Sequence, residues 1–322
     1  MTTRYFCTHV NRGYLAKGLA LHESLTRCCP DARLFLLCLD EESHRVLSRL
    51  GRERLELVRH ADFADETMLA ARRNRSEREY CYTCSASFPN WLLRNRAEID
   101  VLAFVDADAC FFSDPEPLFD ELGDGSIGVT EHRFPEMWKH HEDCGIYNSG
   151  WACFRRDANG LACAQWWHER CVEWCHDRIE GERYSDQKYL EQWPRRFEGV
   201  VVHRHKGANV APWNVPVYRI HKGEGRVMVD DEPLVFYHFC GLRKPAPGFY
   251  NSSVSTPMSK ALRRDVYGPY VAMIHRWQRR VDEISGTGPP ARLRRLFPAP
   301  RTTFKDLAAG EKLLLAPWGR VL

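Results

Sequence analysis

The sequence predicts an α/β fold in which helices flank a central sheet. Apolar runs with β character alternate with segments of helical spacing over the first third of the chain. The run LFLLCL at residues 34–39 is nearly continuous in its apolar character, as expected for a strand buried on both faces. Such alternation favours parallel packing, with a ligand beyond the carboxyl ends of the strands. We therefore expect a single Rossmann-like mixed sheet, followed by a helical C-terminal extension.

The first half of the chain supplies four predicted strands and four predicted helices. The strands cover residues 4–10, 34–39 and 55–58, and a fourth begins at Val101. The helices cover residues 14–25, 42–50, 64–79 and 88–95. The segment 64–79 is rich in arginine, which a solvated helix face explains.

The second half continues the alternation and then changes character. We predict helices at 115–122 and 161–178, and strands at 127–130, 151–154, 200–203 and 233–239. Three tryptophans of the second helix, Trp166, Trp167 and Trp174, are expected in the core. Beyond residue 254 a long basic helix at 261–284 precedes a breaker cluster and a basic tail, so we divide the chain into a domain at 1–254 and an extension at 255–322.

The overall charge excludes some functions and bounds the location. The 322 residues include 46 basic and 43 acidic side chains, a net charge of +3, and no basic helix with interleaved aromatics suggests nucleic acid. The first residues lack the apolar core of a signal peptide, so we expect a cytoplasmic protein whose 13 cysteines are free thiols. The basic tail suits peripheral contact with an anionic membrane, although packing on its own domain is the simpler expectation.

Two aspartates follow the strand that begins at Val101. Side chains alternate along an extended chain, so Asp106 and Asp108 should point the same way and meet one divalent cation. An isolated pair of this kind is more often a strand end with acidic caps. The rest of the chain has to decide between these interpretations.

Further polar residues lie where other apolar strands and helices give way to loops. His238 would complete a metal site with Asp106 and Asp108, and this donor set suits Mn²⁺ or Mg²⁺. Such a metal would neutralise a departing diphosphate, to which Lys244 could add a positive charge. Nearby side chains would position sugar hydroxyls and support positive charge on the sugar: Asn148, Asp186 and Gln187. For Asp186, a helix N-cap is an equally simple explanation.

The order of these motifs resembles one enzyme family. The chain reads DAD after its strand, then YNSG, YSDQKYL, APWN and finally YHFCGLRKP. This order is similar to that of the glycosyltransferases that include glycogenin and the bacterial lipopolysaccharide galactosyltransferases. The resemblance covers about residues 4 to 250. It implies a GT-A fold, a nucleotide-sugar donor that is commonly UDP-linked, a metal ion, and transfer with retention of anomeric configuration. Bacterial relatives further imply a cell-surface polysaccharide or lipopolysaccharide acceptor.

The resemblance also implies roles for individual residues. Asp106 would contact both ribose and metal, Asp108 the metal, and His238 would be the third protein ligand. The residues implied elsewhere in the donor site fall into four groups: Thr8, His9 and Tyr14 at the uridine; Gly241 and Lys244 at the diphosphate; Asn148, Asp186 and Gln187 at the donor sugar; and Asn209, Trp213 and Asn214 at the sugar or acceptor.

The chain departs from the family pattern at two places. Cys240 stands where close relatives carry a second histidine. The basic residue that the family places before its acidic strand has two candidates here, Arg78 and Arg94.

Two other functions fit part of the pattern. A phosphatase of the haloacid dehalogenase type also opens on two aspartates after a strand. It normally has Thr or Val where this chain has Cys110, and it places the motif near the N-terminus. A catalytically silent sugar-nucleotide or glycan-binding module is the second alternative. The presence of the whole acidic, amide and histidine set argues against it.

Overall fold

A computed structural model describes residues 3–246, 249–287 and 313–315. The strands in chain order are β1 (Tyr5–Val10), β2 (Arg33–Cys38), β3 (Leu55–Arg59), β4 (Val101–Val105), β5 (Ala109–Phe111), β6 (Ile127–Glu131), β7 (Tyr147–Arg155), β8 (Val200–His203), β9 (Ile220–Gly223), β10 (Arg226–Val229), β11 (Glu232–Pro233), β12 (Phe236–His238), β13 (Arg243–Ala246), β14 (Phe249–Asn251) and β15 (Leu313–Leu315).

Seven of these strands form the central sheet, in the order β3-β2-β1-β4-β7-β6-β8. The first four run parallel, whereas β7 runs antiparallel to both β4 and β6, and β8 runs parallel to β6. The chain moves outward from β1 to β3 and then returns to place β4 on the other side of β1. The carboxyl ends of β1 and β4 therefore diverge into a crevice at a point where strand order reverses, which is where open α/β sheets bind ligands. The predicted mixed α/β sheet is confirmed.

The helices are α1 (Leu15–Cys28), α2 (Glu41–Leu50), α3 (His60–Phe63), α4 (Glu66–Arg73), α5 (Glu77–Asn95), α6 (Glu116–Leu122), α7 (Ala158–Glu173), α8 (Trp193–Arg196) and α9 (Gly268–Ser285). Short 3-10 turns lie at Arg12–Tyr14, Glu136–Cys144, Lys188–Gln192 and Val215–Val217, and a π-helical turn at Leu262–Tyr267 leads into α9. Within the described ranges, no helix combines the length and apolar character that a bilayer crossing requires.

One predicted helix, at residues 64–79, is wrong. Helix α4 ends at Arg73, because Ser76 is the N-cap of a new helix, α5, and forms a reciprocal capping box. The Ser76 hydroxyl accepts from the backbone N–H of Glu79, and the Glu79 carboxylate accepts from the backbone N–H of Ser76 at 2.7 Å. The predicted helix at 88–95 is the second half of the same α5.

The core lies on both faces of the sheet and includes the predicted tryptophans. Trp167 is fully buried, Trp174 is nearly so, and Trp166 packs against them from a partly buried position. The 13 cysteines, all within the described part of the chain, are free thiols as predicted.

The predicted helix at 261–284 corresponds to the π-helical turn and α9, and it packs on α1. Trp277 donates its indole N–H to the Glu23 carboxylate at 2.7 Å, and Arg276 donates to the same group at 2.5 Å. Tyr270 stacks on Phe239 with ring centroids 3.7 Å apart, which ties this segment to β12. The division at residue 254 stays a prediction. The predicted breaker cluster covers residues 286–290, and its residues from 288 onward, with most of the basic tail, lie outside the described residues.

Candidate metal and donor site

The acidic pair lies on a tight turn between β4 and β5. The backbone N–H of Ala109 donates to the carbonyl of Asp106 at 2.9 Å, and the Asp106 N–H donates to Gly150 of β7 at 3.2 Å. The expectation that an extended chain aligns the two carboxylates is wrong, since residues 107–108 form the turn. The turn brings the carboxylates of Asp106 and Asp108 together instead.

A two-stranded ribbon delivers His238 to this turn. β12 pairs antiparallel with β5 so that His238 lies opposite Ala109, and the Phe239 N–H donates to the Asp108 carbonyl at 2.9 Å. The buried imidazole places Nε2 at 3.4 Å from Asp106 Oδ2 and 3.2 Å from Asp108 Oδ1. The ribbon therefore brings together residues separated by about 130 positions of sequence.

Lys17 completes the cluster, and the sequence patterns missed it. Its ammonium lies 3.3 Å from Asp108 Oδ2, and its side chain is only 14% exposed. The same Nζ lies 4.2 Å from the ring centroid of Tyr14, one helical turn earlier. No local pattern marks Lys17, because its partner Asp108 lies 91 residues away in the sequence. We call Lys17, Asp106, Asp108 and His238 the acidic cluster.

The charges of the acidic cluster shift one another's pKa values. Burial, opposed by His238, raises the pKa of Asp106 to about 6, and the neighbouring Asp108 adds to the rise. Burial also opposes ionisation of Asp108, but Lys17 and His238 outweigh it and hold its pKa well below the ordinary value. Burial lowers the pKa of His238, but the hydrogen bond to Asp108 and the charges of Asp108 and Asp106 together outweigh it and raise the pKa. The negative charge of the two carboxylates is thus balanced in part by positively charged side chains of the protein itself.

The cluster has the composition of a divalent metal site. One ligand atom from each of Asp106, Asp108 and His238 lies within 4.8 Å of the others. Two carboxylate oxygens with one imidazole nitrogen suit Mn²⁺ or Mg²⁺, the nitrogen favouring Mn²⁺. The residues present fit the metal that the sequence predicts.

A second polar group lies beside the first and is built from amides. The side-chain oxygen Oδ1 of Asn148 accepts hydrogen bonds from the Gly150 N–H and from Asn209 Nδ2, each at 3.0 Å. Asn148 Nδ2 lies 3.1 Å from His132 Nε2 and 3.4 Å from Gln187 Oε1. We call the following residues the amide network: Thr130, His132, Asn148, Gln187 and Asn209. The sequence patterns missed its buried histidine, His132, because a lone histidine after a strand carries no distinctive spacing.

Asp186 is buried beside the amide network and does not cap a helix. Its Oδ1 accepts from the hydroxyls of Ser185 at 2.9 Å and Ser149 at 3.1 Å. The following 3-10 turn has Gln187 at its N-cap, and no side chain bonds there. Burial, with the charge of Asp106 adding to it, raises the pKa of Asp186 to about 7. The capping alternative for Asp186 is therefore wrong, and its role in the site stays a prediction.

The residues predicted at the uridine gather where β1 ends and α1 begins. Thr8 is buried, and its hydroxyl has no hydrogen-bond partner among the described residues. His9 Nε2 lies 3.1 Å from Ser85 Oγ, and burial lowers the pKa of His9 to about 4. Tyr14 is 41% exposed and lies next to Lys17. Tyr14 therefore adjoins the acidic cluster through Lys17, and Thr8 and His9 lie near the end of β1.

The remaining predicted residues differ in how closely they approach the cluster. Trp213 packs edge-on against His238, with centroids 5.3 Å apart, whereas Asn214 bonds only to loop backbone. Gly241, at φ +72°, holds the turn after His238. The side chain of Lys244 lies outside the described residues. Cys240 is exposed on the same turn.

The two candidate basic residues make different contacts. Arg78 pairs with Asp177 at 3.0 Å, and that bond raises its pKa. Arg94 instead donates to Gln165 on the exposed surface, at 2.9 Å.

Comparison with solved structures identifies the fold. The galactosyltransferase LgtC, solved with donor and acceptor sugar analogues, superposes with a TM-score of 0.52 over 91% of this chain and 100% of its own, at 18% identity. The chain has the GT-A fold of glycosyltransferases.

Comparison with curated sequences identifies relatives in Bacillus subtilis strain 168. YfnD is 31% identical over 293 residues, which are 90% of this chain and 93% of YfnD. YfnF is 34% identical over 251 residues, which are 76% of this chain and 82% of YfnF. Both are uncharacterized proteins, and no family model matches the sequence. The protein belongs to the family of YfnD and YfnF.

Proposed function

We propose that the protein is a metal-dependent retaining glycosyltransferase that uses a nucleotide-diphosphate sugar, with UDP as the nucleotide. The observation that carries the proposal is the meeting of Asp106, Asp108 and His238 within 4.8 Å, beside the hydrogen-bonded amide network, in a GT-A fold. A binding module has no need of a buried carboxyl with a pKa of about 7 next to that network, as Asp186 provides.

The acidic cluster would serve the diphosphate end of the donor. Asp106, Asp108 and His238 would hold Mn²⁺ or Mg²⁺, which when bound neutralises charge that develops on a departing diphosphate. Lys17 and Lys244 would add positive charge beside the same phosphates, and the turn at Gly241 would lie against them. Thr8, His9 and Tyr14 would hold the nucleoside, because they lie where β1 ends and α1 begins, and Tyr14 contacts Lys17 of the acidic cluster.

Asn148, Asp186 and Gln187 would serve the donor sugar. Gln187 would bond to its hydroxyls, and Asn148 would do so by exchanging its 3.4 Å contact with Gln187 for one of them. Asp186 would support positive charge on the ring carbon as the bond to the diphosphate breaks. Retention requires the acceptor to arrive on the face that the diphosphate leaves. Gln187 would lie near that reacting face.

The acceptor that we propose is a hydroxyl of a bacterial cell-surface polysaccharide or lipopolysaccharide. Support comes from the resemblance to lipopolysaccharide galactosyltransferases and from the likeness to LgtC, whose structure holds an acceptor sugar analogue. Such glycans are assembled at the cytoplasmic face of the membrane, where a basic tail would aid peripheral contact.

The test is a panel of nucleotide sugars scored for hydrolysis with and without Mn²⁺. We expect slow metal-dependent hydrolysis of one UDP-sugar, because water can replace the acceptor in an open site. We also expect a rise in Tm with UDP plus Mn²⁺, because ligands that bind the folded state stabilise it. A rise in Tm without turnover of any donor would favour a sugar-nucleotide-binding module. Release of phosphate from simple phosphoesters would favour a phosphatase.

A further inference from the structure

We propose that His132 is a positioning residue that orients the amides of Asn148 and Gln187 toward the donor sugar. The inference rests on the proposed function, since it assigns how that sugar pocket is held. His132 follows β6, and its side chain contacts Asn148 within the amide network.

The surroundings of the ring decide which nitrogen carries the proton. His132 is buried, and its Nδ1 lies 3.2 Å from the carbonyl oxygen of Ile146, which can only accept. Nδ1 is therefore protonated, and Nε2 of a neutral ring is an acceptor. Burial lowers the pKa of His132 to about 4, so the ring is neutral in neutral solution.

This tautomer orients Asn148. Since His132 Nε2 accepts, the amide nitrogen of Asn148 must face it, at 3.1 Å. The amide oxygen then faces two donors, the Gly150 N–H and Asn209 Nδ2, each at 3.0 Å. The opposite rotamer would set the Asn148 nitrogen against both donors and its oxygen against the acceptor on His132. Three contacts therefore favour one orientation.

The orientation passes on to Gln187. The second hydrogen of Asn148 Nδ2 points to Gln187 Oε1 at 3.4 Å, and Gln187 Nε2 donates to the Cys144 carbonyl at 2.9 Å. A donor and an acceptor thus hold Gln187 at opposite ends of its amide. Hydrogen-bond chains of this kind fix polar groups before the ligand arrives.

The ring can be changed without disturbing the backbone of the same residue. The His132 carbonyl accepts from Trp213 Nε1 and Asn214 Nδ2, each at 3.0 Å, and these bonds do not involve the side chain. The ring also stacks on Phe134 with centroids 4.7 Å apart. Phenylalanine would keep the stack and lose the acceptor, whereas glutamine would keep an acceptor near the position of Nε2.

The first experiment compares His132→Phe with His132→Gln on the donor that the wild-type protein hydrolyses. We expect His132→Phe to lower kcat about 10- to 100-fold with little change in KM, because the nucleotide provides most of the binding. His132→Gln should recover kcat to within about threefold of wild type. Equal kcat for wild type and His132→Phe would overturn the proposal, and so would failure of the glutamine variant when its Tm matches wild type.

Two controls separate positioning from general damage to the core. His22 is also a buried histidine with one bond to a backbone carbonyl, 3.0 Å from Glu53, and His22→Phe should leave kcat unchanged. Asn148→Leu should lower kcat as well, and adding His132→Phe to it should lower kcat little further. Additive losses would mean that His132 does not act through Asn148.

A spectroscopic readout tests the inference even if no donor is turned over. Long-range ¹H–¹⁵N spectra of the wild-type protein should show His132 neutral and protonated at Nδ1. The Asn148 side-chain amide signals should shift in His132→Phe and stay near wild type in His132→Gln. A charged ring, the opposite tautomer or unmoved Asn148 signals would overturn the inference, whereas an inactive wild type with the expected spectra would count against the proposed function alone.

Discussion

The two halves of the site achieve order in opposite ways. The acidic cluster sets two carboxylates against a lysine and a histidine at 3.2–3.4 Å, and His238 Nδ1 has no hydrogen-bond partner among the described residues. In the amide network, Asn148 makes contacts through both atoms of its amide. The first half consists of charges whose balance depends on cations, and the second of neutral dipoles that are largely satisfied already.

This difference indicates which half should respond to added ligand. Charges held in a crevice change their mutual energy strongly when a divalent cation enters. Hydrogen-bonded amides are preorganised, so they need little rearrangement when a ligand binds. Their arrangement depends on which side chains are present, not on added ions. Added metal and changes of pH should therefore affect mainly the acidic cluster and Asp186. Substitutions that remove a hydrogen-bonding side chain should affect mainly the amide network.

The largest effect is expected from Asp108→Asn. Loss of one anionic ligand should lower metal-dependent donor hydrolysis about 1000-fold, equivalent to about 4 kcal/mol, and remove the rise in Tm with Mn²⁺. Steady-state rates and thermal melts with and without Mn²⁺ measure both. The exposed carboxylate of Asp100 supplies the control, Asp100→Asn. Full activity in Asp108→Asn would show that the acidic cluster is not the metal site.

Asp186→Asn should separate stability from activity. The pKa of Asp186 is raised to about 7 by burial and by Asp106, so the metal-free folded protein holds a proton that the unfolded chain releases. The contribution of Asp186 to stability therefore falls as pH rises from about 4 to about 7. Asparagine removes this cost, and we expect a gain on the order of 1–4 kcal/mol at pH 8 that vanishes near pH 4, with turnover about 100-fold lower.

Chemical denaturation of the metal-free protein at several pH values measures the stability part. A gain that is the same at all pH values would show that Asp186 is ionised throughout. Retained turnover would remove Asp186 from the proposed machinery.

Gly150→Ala should disturb both halves at once. A Cβ there would lie 2.6 Å from His238 Nδ1 and 2.7 Å from Asn148 Oδ1, so one of them must move. We expect a loss of about 1–3 kcal/mol of stability and roughly tenfold weaker Mn²⁺ binding, measured by denaturation and calorimetry. Gly223→Ala is the control, because its Cβ would lie 3.1 Å from Met228 Cγ and touch neither half of the site. Unchanged Mn²⁺ affinity would show that the halves are mechanically independent.

The smallest effect is expected from Lys17→Met. Its ammonium lies 3.3 Å from Asp108 and repels a second cation, so its removal should tighten Mn²⁺ binding about two- to tenfold. Titration followed by the electron paramagnetic resonance of free Mn²⁺ measures this. Lys206→Met removes an exposed ion pair with Asp231 and should change nothing. Weaker binding in Lys17→Met would mean that Lys17 holds Asp108 in place rather than opposing the metal.

The sequence by itself determined the fold class and part of the site. The strand at 200–203 was predicted with its observed bounds, because three consecutive β-branched valines form a local pattern. The acidic pair and His238 were found because each follows an apolar run at its carboxyl end. The order of the motifs along the chain then indicated a glycosyltransferase. The break at Ser76 was missed, although its capping residues stand in the sequence.

Only the tertiary structure decided how the polar residues are partnered. Lys17 and Asp108 are 91 residues apart, and Asn148 and Gln187 are 39 apart, so no local pattern records either contact. A buried lysine on a helix reads like one on a solvated face, and His132 reads like any histidine after a strand. Even the convergence of Asp106 and Asp108 came from a turn held by Gly150 of another strand. Hydrogen bonds and ion pairs depend on distances of about 3 Å, which packing sets and periodicity does not.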